Sequence, residues 1–249
     1  MLNTKHITKD LTLRTLGLSD LHKLMFLQNS IVVQLPETRK NFVAVKTELE
    51  FADRMTNLGV MQGVFTQAAG SEQLVAYSCI ALPTPQWPTA DLALESHVTL
   101  PYHHSELAVL QSCVVDSDYR GQGLLKKMIA NAEMICAAKG RYNVMAKLSV
   151  ANTDSLKGFM SQGYSVKLAG QALNDGRKVF FLHKDILSDC DVSGLSAVKL
   201  DPASDFAQAK QLLENGYIGA GIERTTKAAH GYLLKMVCAQ QRMPILNCA

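Results

Sequence analysis

The feature that most constrains the fold is an apolar run followed at once by a glycine-rich turn and an amphipathic helix. Glu106–Asp116 is a long, nearly unbroken apolar run, which is typical of a strand buried on both faces. Arg120-Gly121-Gln122-Gly123 follows, and apolar residues then recur at helical spacing from Leu125 until Gly140, which can end the helix. This succession predicts a parallel crossover and therefore an α/β fold.

Regular patterns on both sides of this run predict a mixed sheet. Thr47 and Glu50 form a T-x-x-E capping box at the start of one helix, and Gly59 is placed to end that helix. Asn174-Asp175-Gly176 is a strong signal for a hairpin turn. The predicted order of elements is β-α-α-β-β-β-α-β-α-β-β. Its strands are expected at residues 11–16, 61–66, 74–82, 106–116, 142–150, 164–168 and 179–184.

A proline-rich segment separates the third and fourth predicted strands. It spans residues 83–104 and is too long for an ordinary connection. It is either a functional loop that covers a site or a surface loop without a functional role, and both interpretations are open.

Composition and charge exclude several classes of partner. The formal net charge is +3, and lysine and arginine never form a run of five, so neither a nucleic-acid partner nor an anionic-membrane partner is predicted. No stretch approaches the roughly 18 apolar residues of a membrane span, and Met1–Asp10 lacks the apolar centre of a signal peptide. The six cysteines never approach a C-x-x-C spacing and mostly lie in apolar runs, as buried thiols in a reducing compartment do. We therefore expect a cytoplasmic protein.

The turn at residues 120–123 has the features of an anion site. Backbone N–H groups converge at the start of a helix, where the helix dipole favours negative charge. Gly121 and Gly123 would let the backbone approach a pyrophosphate, and Arg120 could add charge-assisted hydrogen bonds. An ordinary tight turn is the alternative. A P-loop is excluded because G-x-x-x-x-G-K-S/T is absent, and a G-x-G-x-x-G motif is excluded because Lys126 occupies the third glycine position.

Two motifs make the sequence resemble the GNAT superfamily of N-acyltransferases. In that family V-x-P-E-Y at the end of a strand precedes R-G-x-G-L/I-G/A, and this chain has Val115-Asp-Ser-Asp-Tyr-Arg-Gly-Gln-Gly-Leu-Leu125. The second motif is N-x-x-S/A-L/I-x-x-F/Y followed by a glycine and an aromatic residue. It is matched by Asn152-Thr-Asp-Ser155-Leu156-Lys-Gly-Phe159 and then Gly163-Tyr164. The resemblance covers about residues 8 to 187 and implies a GNAT-like mixed sheet with splayed central strands.

The resemblance also implies acetyl-CoA as the co-substrate and no metal. The strand before the turn would pair, through its backbone, with the amide groups of the pantetheine arm. The turn would hold the pyrophosphate, and the second motif would contact CoA near its reactive end. The implied CoA-binding residues are Val114, Val115, Arg120, Gly121, Gln122, Gly123, Leu124, Leu125, Asn152, Ser155 and Phe159.

The family reaction is direct attack of a neutral primary amine on the thioester, without a covalent enzyme intermediate. The sequence does not name the acceptor, which would be a small-molecule or peptide amine. Two residues depart from the family pattern. Leu125 replaces a small residue and crowds the backbone near the phosphates, and Phe159 replaces a tyrosine that protonates the leaving thiolate in many relatives. A non-catalytic CoA-binding sensor or interaction module of the same fold is therefore the alternative function.

The reaction needs a base or a water relay that removes a proton from the amine. Glu106, at the start of the central strand, is the first candidate because relatives often use a carboxylate there; a solvated carboxylate is the alternative. His103 and His104 do not predict a metal site, because adjacent side chains on an extended chain point apart. Cys113 is predicted to be a buried strand thiol and not a nucleophile, since no base is evident beside it.

The residues beyond the resemblance are predicted to form a small C-terminal α/β extension. Ser196–Leu200 has the pattern of a strand, and Asp205–Glu214 has that of an amphipathic helix. The predicted domains are therefore an acyltransferase domain at 1–187 and the extension at 188–249. A segment of this size buries too little apolar surface to be stable alone. We expect it to pack on the acyltransferase domain or, in a homodimer, on a second subunit.

The extension faintly echoes the end of the domain before it. Lys157-Gly-Phe-Met-Ser-Gln-Gly-Tyr164 resembles Lys210-Gln-Leu-Leu-Glu-Asn-Gly-Tyr217, and both segments predict a helix, a glycine–aromatic pair and a strand. A degenerate repeat and a coincidence are both open, because helices commonly end in this way.

Overall fold

The computed structural model describes residues 11–68, 70–85, 103–172, 175–188 and 192–239. The chain divides into two compact units. The first unit comprises residues 1–81 and 111–128, and the second comprises residues 82–110 and 129–249. Within the described ranges, no helix is both long enough and apolar enough to cross a membrane.

The first unit is a sheet with two helices. Its elements are β1 (Leu11–Thr15), α1 (Leu21–Gln34), α2 (Glu48–Thr56), β2 (Gly59–Ala68), β3 (Ser71–Ala81), the second half of β4 (Leu107–Val115) and the first turn of α3 (Leu124–Ala138). The strand order in this unit is β1-β2-β3-β4, and β2 is antiparallel to both β1 and β3. Leu24 of α1 and Phe51 of α2 are fully buried in a core that also contains Tyr77 and Cys79 of β3.

The start of α2 confirms the predicted capping box, but its end does not follow the prediction. Thr47 Oγ1 accepts a hydrogen bond from Glu50 N at 3.2 Å, and the Glu50 carboxylate accepts one from Thr47 N at 2.7 Å. The prediction that Gly59 ends this helix is wrong, because α2 ends at Thr56 and Gly59 begins β2. A Cβ at position 59 would lie 2.1 Å from the carbonyl oxygen of Ile80. The glycine therefore permits the close approach of two strands.

The second unit contains the parallel crossover. Its remaining elements are β5 (Asn143–Ser149), α4 (Thr153–Met160), β6 (Ser165–Gln171), β7 (Lys178–Asp185), β8 (Ala197–Leu200), α5 (Phe206–Glu214), β9 (Tyr217–Arg224) and β10 (Tyr232–Cys238). The strand order is β4-β5-β7-β6-β9-β10-β8. Leu107–Val109 of β4 pair in parallel with Asn143–Met145 of β5, whereas β5 pairs with β7 along its whole length and antiparallel. The predicted mixed α/β sheet is thus confirmed, since β5 has one parallel and one antiparallel neighbour.

The described residues of the extension, 192–239, continue the sheet of the second unit. The predicted strand and helix are present as β8 and α5. Strand β9 lies antiparallel to β6, where Val166 is opposite Gly219. Fully buried side chains of the extension include Tyr232, Leu234 and Met236 of β10. Most of the proline-rich segment, residues 86–102, lies outside the described residues, as does Asn174 of the predicted hairpin turn.

Candidate functional site

The connection from β4 to α3 lies wholly in the first unit and is built by local hydrogen bonds. Asp116 N donates to the carbonyl oxygen of Val75 at 2.9 Å, which ties the end of β4 to β3. Asp116 Oδ1 accepts a hydrogen bond from Asp118 N at 3.0 Å and so caps a short 3-10 turn at Ser117–Tyr119. The chain therefore reaches Arg120 in a defined direction.

The two glycines of the turn are required by backbone conformation. Gly121 and Gly123 both have φ +76°, in the left-handed region that side-chain-bearing residues rarely adopt. An added Cβ at either position would have no atom within 4 Å, so space is not what requires glycine here. Lys127 N donates to the carbonyl oxygen of Gly123 at 3.1 Å, which starts the hydrogen-bond ladder of α3. The N–H groups before Lys127 have no partner inside the helix and converge at the turn, as in anion-binding nests.

The first turn of α3 is anchored to the sheet beneath it. Leu124 and Met128 are buried in one cluster with Tyr119 and with Val64, Val75 and Ala76 of the strands. The side chain of Gln62 is fully buried, and its Nε2 donates to the carbonyl oxygen of Met128 at 2.7 Å and to Ser78 Oγ at 2.8 Å. A buried amide nitrogen that donates two hydrogen bonds is held rigidly, because breaking either bond would leave a buried polar atom unpaired. Gln62 thus positions the helix start that carries the turn.

The end of β4 has an irregular backbone next to the turn. Ser112 has φ +52°, an uncommon conformation for a residue with a side chain, and such positions re-aim the backbone of a strand. Arg120 Nε donates to the carbonyl oxygen of Val115 at 3.2 Å, and the rest of its exposed guanidinium extends into solvent. The Val115 carbonyl therefore already accepts one hydrogen bond from within the protein.

The second motif lies in the second unit, at the start of α4. Asn152 is the N-cap of this helix, and its Oδ1 accepts a hydrogen bond from Ser155 N at 3.2 Å. The amide nitrogen of Asn152 and the hydroxyl of Ser155 are both at this helix end. Phe159 is placed differently, because its ring is 1% exposed and packs edge to face on Tyr164 with centroids 5.1 Å apart. The structure thus brings Asn152 and Ser155 together and places Phe159 in the core.

Glu106 is exposed and closes a short 3-10 turn, His104–Glu106, directly before β4. Arg141 holds this turn, since its Nη1 donates to the carbonyl oxygens of His104, of Pro83 at 3.2 Å and of Leu107 at 3.4 Å.

The expectation that His103 and His104 point apart is wrong, because the chain turns here and the two rings lie against each other, tilted, with centroids 4.0 Å apart. In the described part of the chain, no group of three His, Cys, Asp or Glu side chains could hold a metal ion.

Burial favours the protonated form of three cysteine thiols. Burial raises the pKa of Cys79 to about 11 and the pKa values of Cys113 and Cys136 to about 12. A thiol is nucleophilic only as the thiolate. Cys113 therefore has the chemistry of a packing residue.

The family of the chain follows from its sequence match. Residues 42–164 match the family model described as Acetyltransferase (GNAT) family. The chain carries a GNAT-family acetyltransferase domain. The match includes the glycine turn and the second motif through Tyr164. None of the curated proteins is similar enough in sequence to be matched to the chain.

Solved structures agree with the GNAT fold. The N-acetyltransferase from Staphylococcus aureus Mu50 has a TM-score of 0.52 and 15% identity, and the match covers 71% of this chain and 99% of that one. The GNAT superfamily phosphinothricin acetyltransferase from Sinorhizobium meliloti, solved in complex with AcCoA, has a TM-score of 0.51 and 15% identity over 70% of this chain and 87% of that one. The ribosomal-protein-S18-alanine N-acetyltransferase from Escherichia coli has a TM-score of 0.50 and 15% identity over 75% and 99%. Identities this low show the fold alone.

Sequence reasoning missed two positioning residues. Gln62 interrupts the mostly apolar residues 59–65 of β2, and that contrast was the available signal for a buried hydrogen-bonding role. Arg141 follows the glycine that ends α3 and has no distinguishing pattern, because its three acceptors are carbonyl groups.

Proposed function

We propose that this GNAT domain transfers an acetyl group from acetyl-CoA to a primary amine by direct attack. The observation that carries the proposal is the pair of left-handed glycines, Gly121 and Gly123, directly before the first turn of α3. Acetyl transfer from acetyl-CoA is the general chemistry of the family. The complex of the Sinorhizobium meliloti relative with AcCoA further supports acetyl-CoA as the donor here.

The pyrophosphate is assigned to the N–H groups of residues 121–125, with Arg120 beside them. Hydrogen bonds to a charged group are worth about 1.5–3 kcal/mol each, roughly twice those between neutral groups. Among the described residues, Arg120 is tethered through Nε, and its two Nη atoms are proposed to donate to phosphate oxygens. Leu124 is buried and Leu125 half-buried, and their backbone N–H groups are proposed to donate to the phosphates.

The rest of the donor is assigned from the family resemblance. The backbone of Val114 and Val115 is proposed to pair with the pantetheine amides. Asn152 is proposed to donate through its amide nitrogen, because its Oδ1 already caps α4, and Ser155 through its hydroxyl. Phe159 has no proton to give and is buried, so water is proposed to protonate the leaving thiolate.

Glu106 is proposed as the base that accepts the amine proton, directly or through water. Glu106→Gln should lower kcat most at moderate pH, because few acceptor amines are then deprotonated. The effect should shrink toward about pH 10, where a free amine needs no base. The check is a pH profile of kcat. Glu214→Gln, another exposed carboxylate removed from the surface, is the matched control and should leave the profile unchanged. A Glu106→Gln profile identical to wild type would mean that Glu106 is only a solvated carboxylate.

The experiment that tests the proposed function combines binding and turnover. Acetyl-CoA binding is measured by calorimetry, and release of the CoA thiol is followed over a panel of amino acids, polyamines and peptides with free amines. We expect binding in the micromolar range typical of enzyme substrates and thiol release that depends on one class of amine. Binding without turnover on any acceptor would favour the alternative of a CoA-binding sensor. Absence of binding would refute both.

The buried free thiols Cys79 and Cys136 support a reducing, cytoplasmic location for such an enzyme.

A further inference from the structure

One strand ladder of the extension repeats the register of a ladder that precedes it. In the β5–β7 ladder Val144 lies opposite Lys184. In the β8–β10 ladder, the residues 53 positions later, Ala197 and Val237, also lie opposite each other. Both ladders are antiparallel and both continue into a third strand, in the orders β5-β7-β6 and β8-β10-β9, although the β9–β10 pairs are displaced by one residue from the equivalents of the β6–β7 pairs. The extra residues of the two β-bulges, Lys167 in β6 and Ala220 in β9, are also 53 positions apart.

The helices and the glycines that follow them are separated by the same 53 positions. The N-cap of α4 is Asn152 and that of α5 is Asp205, again 53 positions apart. Each helix is followed by a left-handed glycine, Gly163 with φ +87° and Gly216 with φ +82°. The β-α-β-β segment at residues 143–185 therefore has a second copy at residues 197–238.

The two copies meet on an approximate two-fold axis. Val166 of β6 lies opposite Gly219 of β9, in an antiparallel pair, and these two residues are themselves 53 positions apart. A residue that pairs with its own equivalent marks a two-fold axis between the copies. A Cβ at Gly219 would lie 2.8 Å from Val166 Cβ, so one of the two residues on the axis has to be small.

Reciprocal hydrogen bonds cross this axis between the loops before α4 and α5. Tyr232, the first residue of β10, donates from its hydroxyl to the carbonyl oxygen of Val150 at 2.7 Å. Lys178, the first residue of β7, donates from Nζ to the carbonyl oxygen of Ala203, the equivalent of Val150, also at 2.7 Å. Thr153 Oγ1 adds a bond to the carbonyl oxygen of His230 at 3.1 Å. Each copy thus holds the loop of the other.

The second copy does not retain the motif residues of the first. Asp205, Gln208 and Leu212 occupy the positions equivalent to Asn152, Ser155 and Phe159. We infer that the extension is a degenerate second β-α-β-β unit whose task is to fix the Val150–Asn152 loop of the first, with Tyr232 as the positioning residue.

The chemistry of Tyr232 suits this task. Its ring is fully buried, and burial raises its pKa well above the ordinary value, so the hydroxyl stays a donor. Asn152 follows the Val150 carbonyl by two residues and begins α4. This inference rests on the proposed function, in which Asn152 contacts acetyl-CoA.

The test uses one hydrogen bond from each side of the axis. Tyr232→Phe keeps the ring and removes the bond to Val150, leaving a buried carbonyl without its partner. We expect acetyl-CoA to bind about tenfold more weakly. ADP, which has the pyrophosphate but no pantetheine, should bind as to wild type. Lys178→Met removes the equivalent bond to Ala203, and it should leave acetyl-CoA affinity unchanged.

Amide hydrogen exchange provides a readout that needs no ligand. Tyr232→Phe should speed exchange at Asn152, whose N–H is bonded to the carbonyl oxygen of Ser149, and Lys178→Met should do so at Asp205, which is bonded to Asp201. Three results would each overturn the inference. The first is unchanged exchange at Asn152 in Tyr232→Phe, and the second is that this variant binds ADP and acetyl-CoA more weakly by the same factor. The third is that Lys178→Met weakens acetyl-CoA binding as much as Tyr232→Phe does. A wild-type protein that does not bind acetyl-CoA would instead refute the proposed function, and the exchange experiment would still decide the positioning role.

Discussion

Gly123→Val is expected to weaken acetyl-CoA binding about a hundredfold or more while leaving the protein folded. A side chain in the left-handed region costs roughly 1–2 kcal/mol, and more when it is β-branched, so the turn should abandon the conformation it has at φ +76°. The N–H groups that depend on that conformation would then point elsewhere. Loss of two hydrogen bonds to a charged pyrophosphate, at about 1.5 kcal/mol or more each, corresponds to about two orders of magnitude in Kd. Calorimetric titration with acetyl-CoA measures this directly.

The matched control is Gly140→Val, at the end of α3. Gly140 has φ +69°, and an added Cβ there would also have no atom within 4 Å. The two variants therefore carry similar backbone strain, and both should melt at a lower temperature than wild type. Only Gly123→Val should lose affinity. Equal losses of affinity in the two variants, or none in Gly123→Val, would contradict the assignment of the pyrophosphate to this turn.

Removal of the extension after Ser188 is expected to leave a protein that aggregates or melts at least 10 °C lower. Fully burying one large apolar side chain stabilises a fold by about 1.5–3 kcal/mol, and β9 and β10 also cover one edge of β6. The buried apolar side chains that would be lost are Leu200, Phe206, Leu213, Ile218, Tyr232, Leu234, Met236 and Val237. Thermal melting and binding of a hydrophobic dye measure the effect. A chain ending at Ala239, which keeps all four elements of the extension, is the control.

A pair of point variants tests the contact between β6 and β9 without removing the extension. Gly219→Ala places a Cβ 2.8 Å from Val166 Cβ and 3.1 Å from Leu234 Cδ1, and overpacking of this kind costs about 1–3 kcal/mol. Gly221→Ala, in the same strand, places its Cβ 3.9 Å from Lys235 and should be neutral within about 0.5 kcal/mol. Equal stability of the two variants, together with a truncated protein as stable as the full chain, would mean that the extension is an independent appendage.

The sequence by itself determined the features that depend on a few neighbouring residues. The turn at residues 120–123, the capping box at Thr47 and the order of the elements were predictable, because left-handed glycines, caps and hydrophobic periodicity act over one or two turns of chain. The two GNAT motifs likewise lie each within a single strand–turn–helix or loop–helix segment. Fold class and family could therefore be predicted before any distance was known.

Only the tertiary structure decided the features that depend on residues far apart in the chain. Gly59 begins a strand because Ile80 approaches it, and Gln62 is a positioning residue because its amide meets the carbonyl of Met128. The pairing of Val166 with Gly219 could not be predicted from the sequence either. A faint echo in sequence leaves the register of two strands undetermined, since register is selected by the packing of both faces at once.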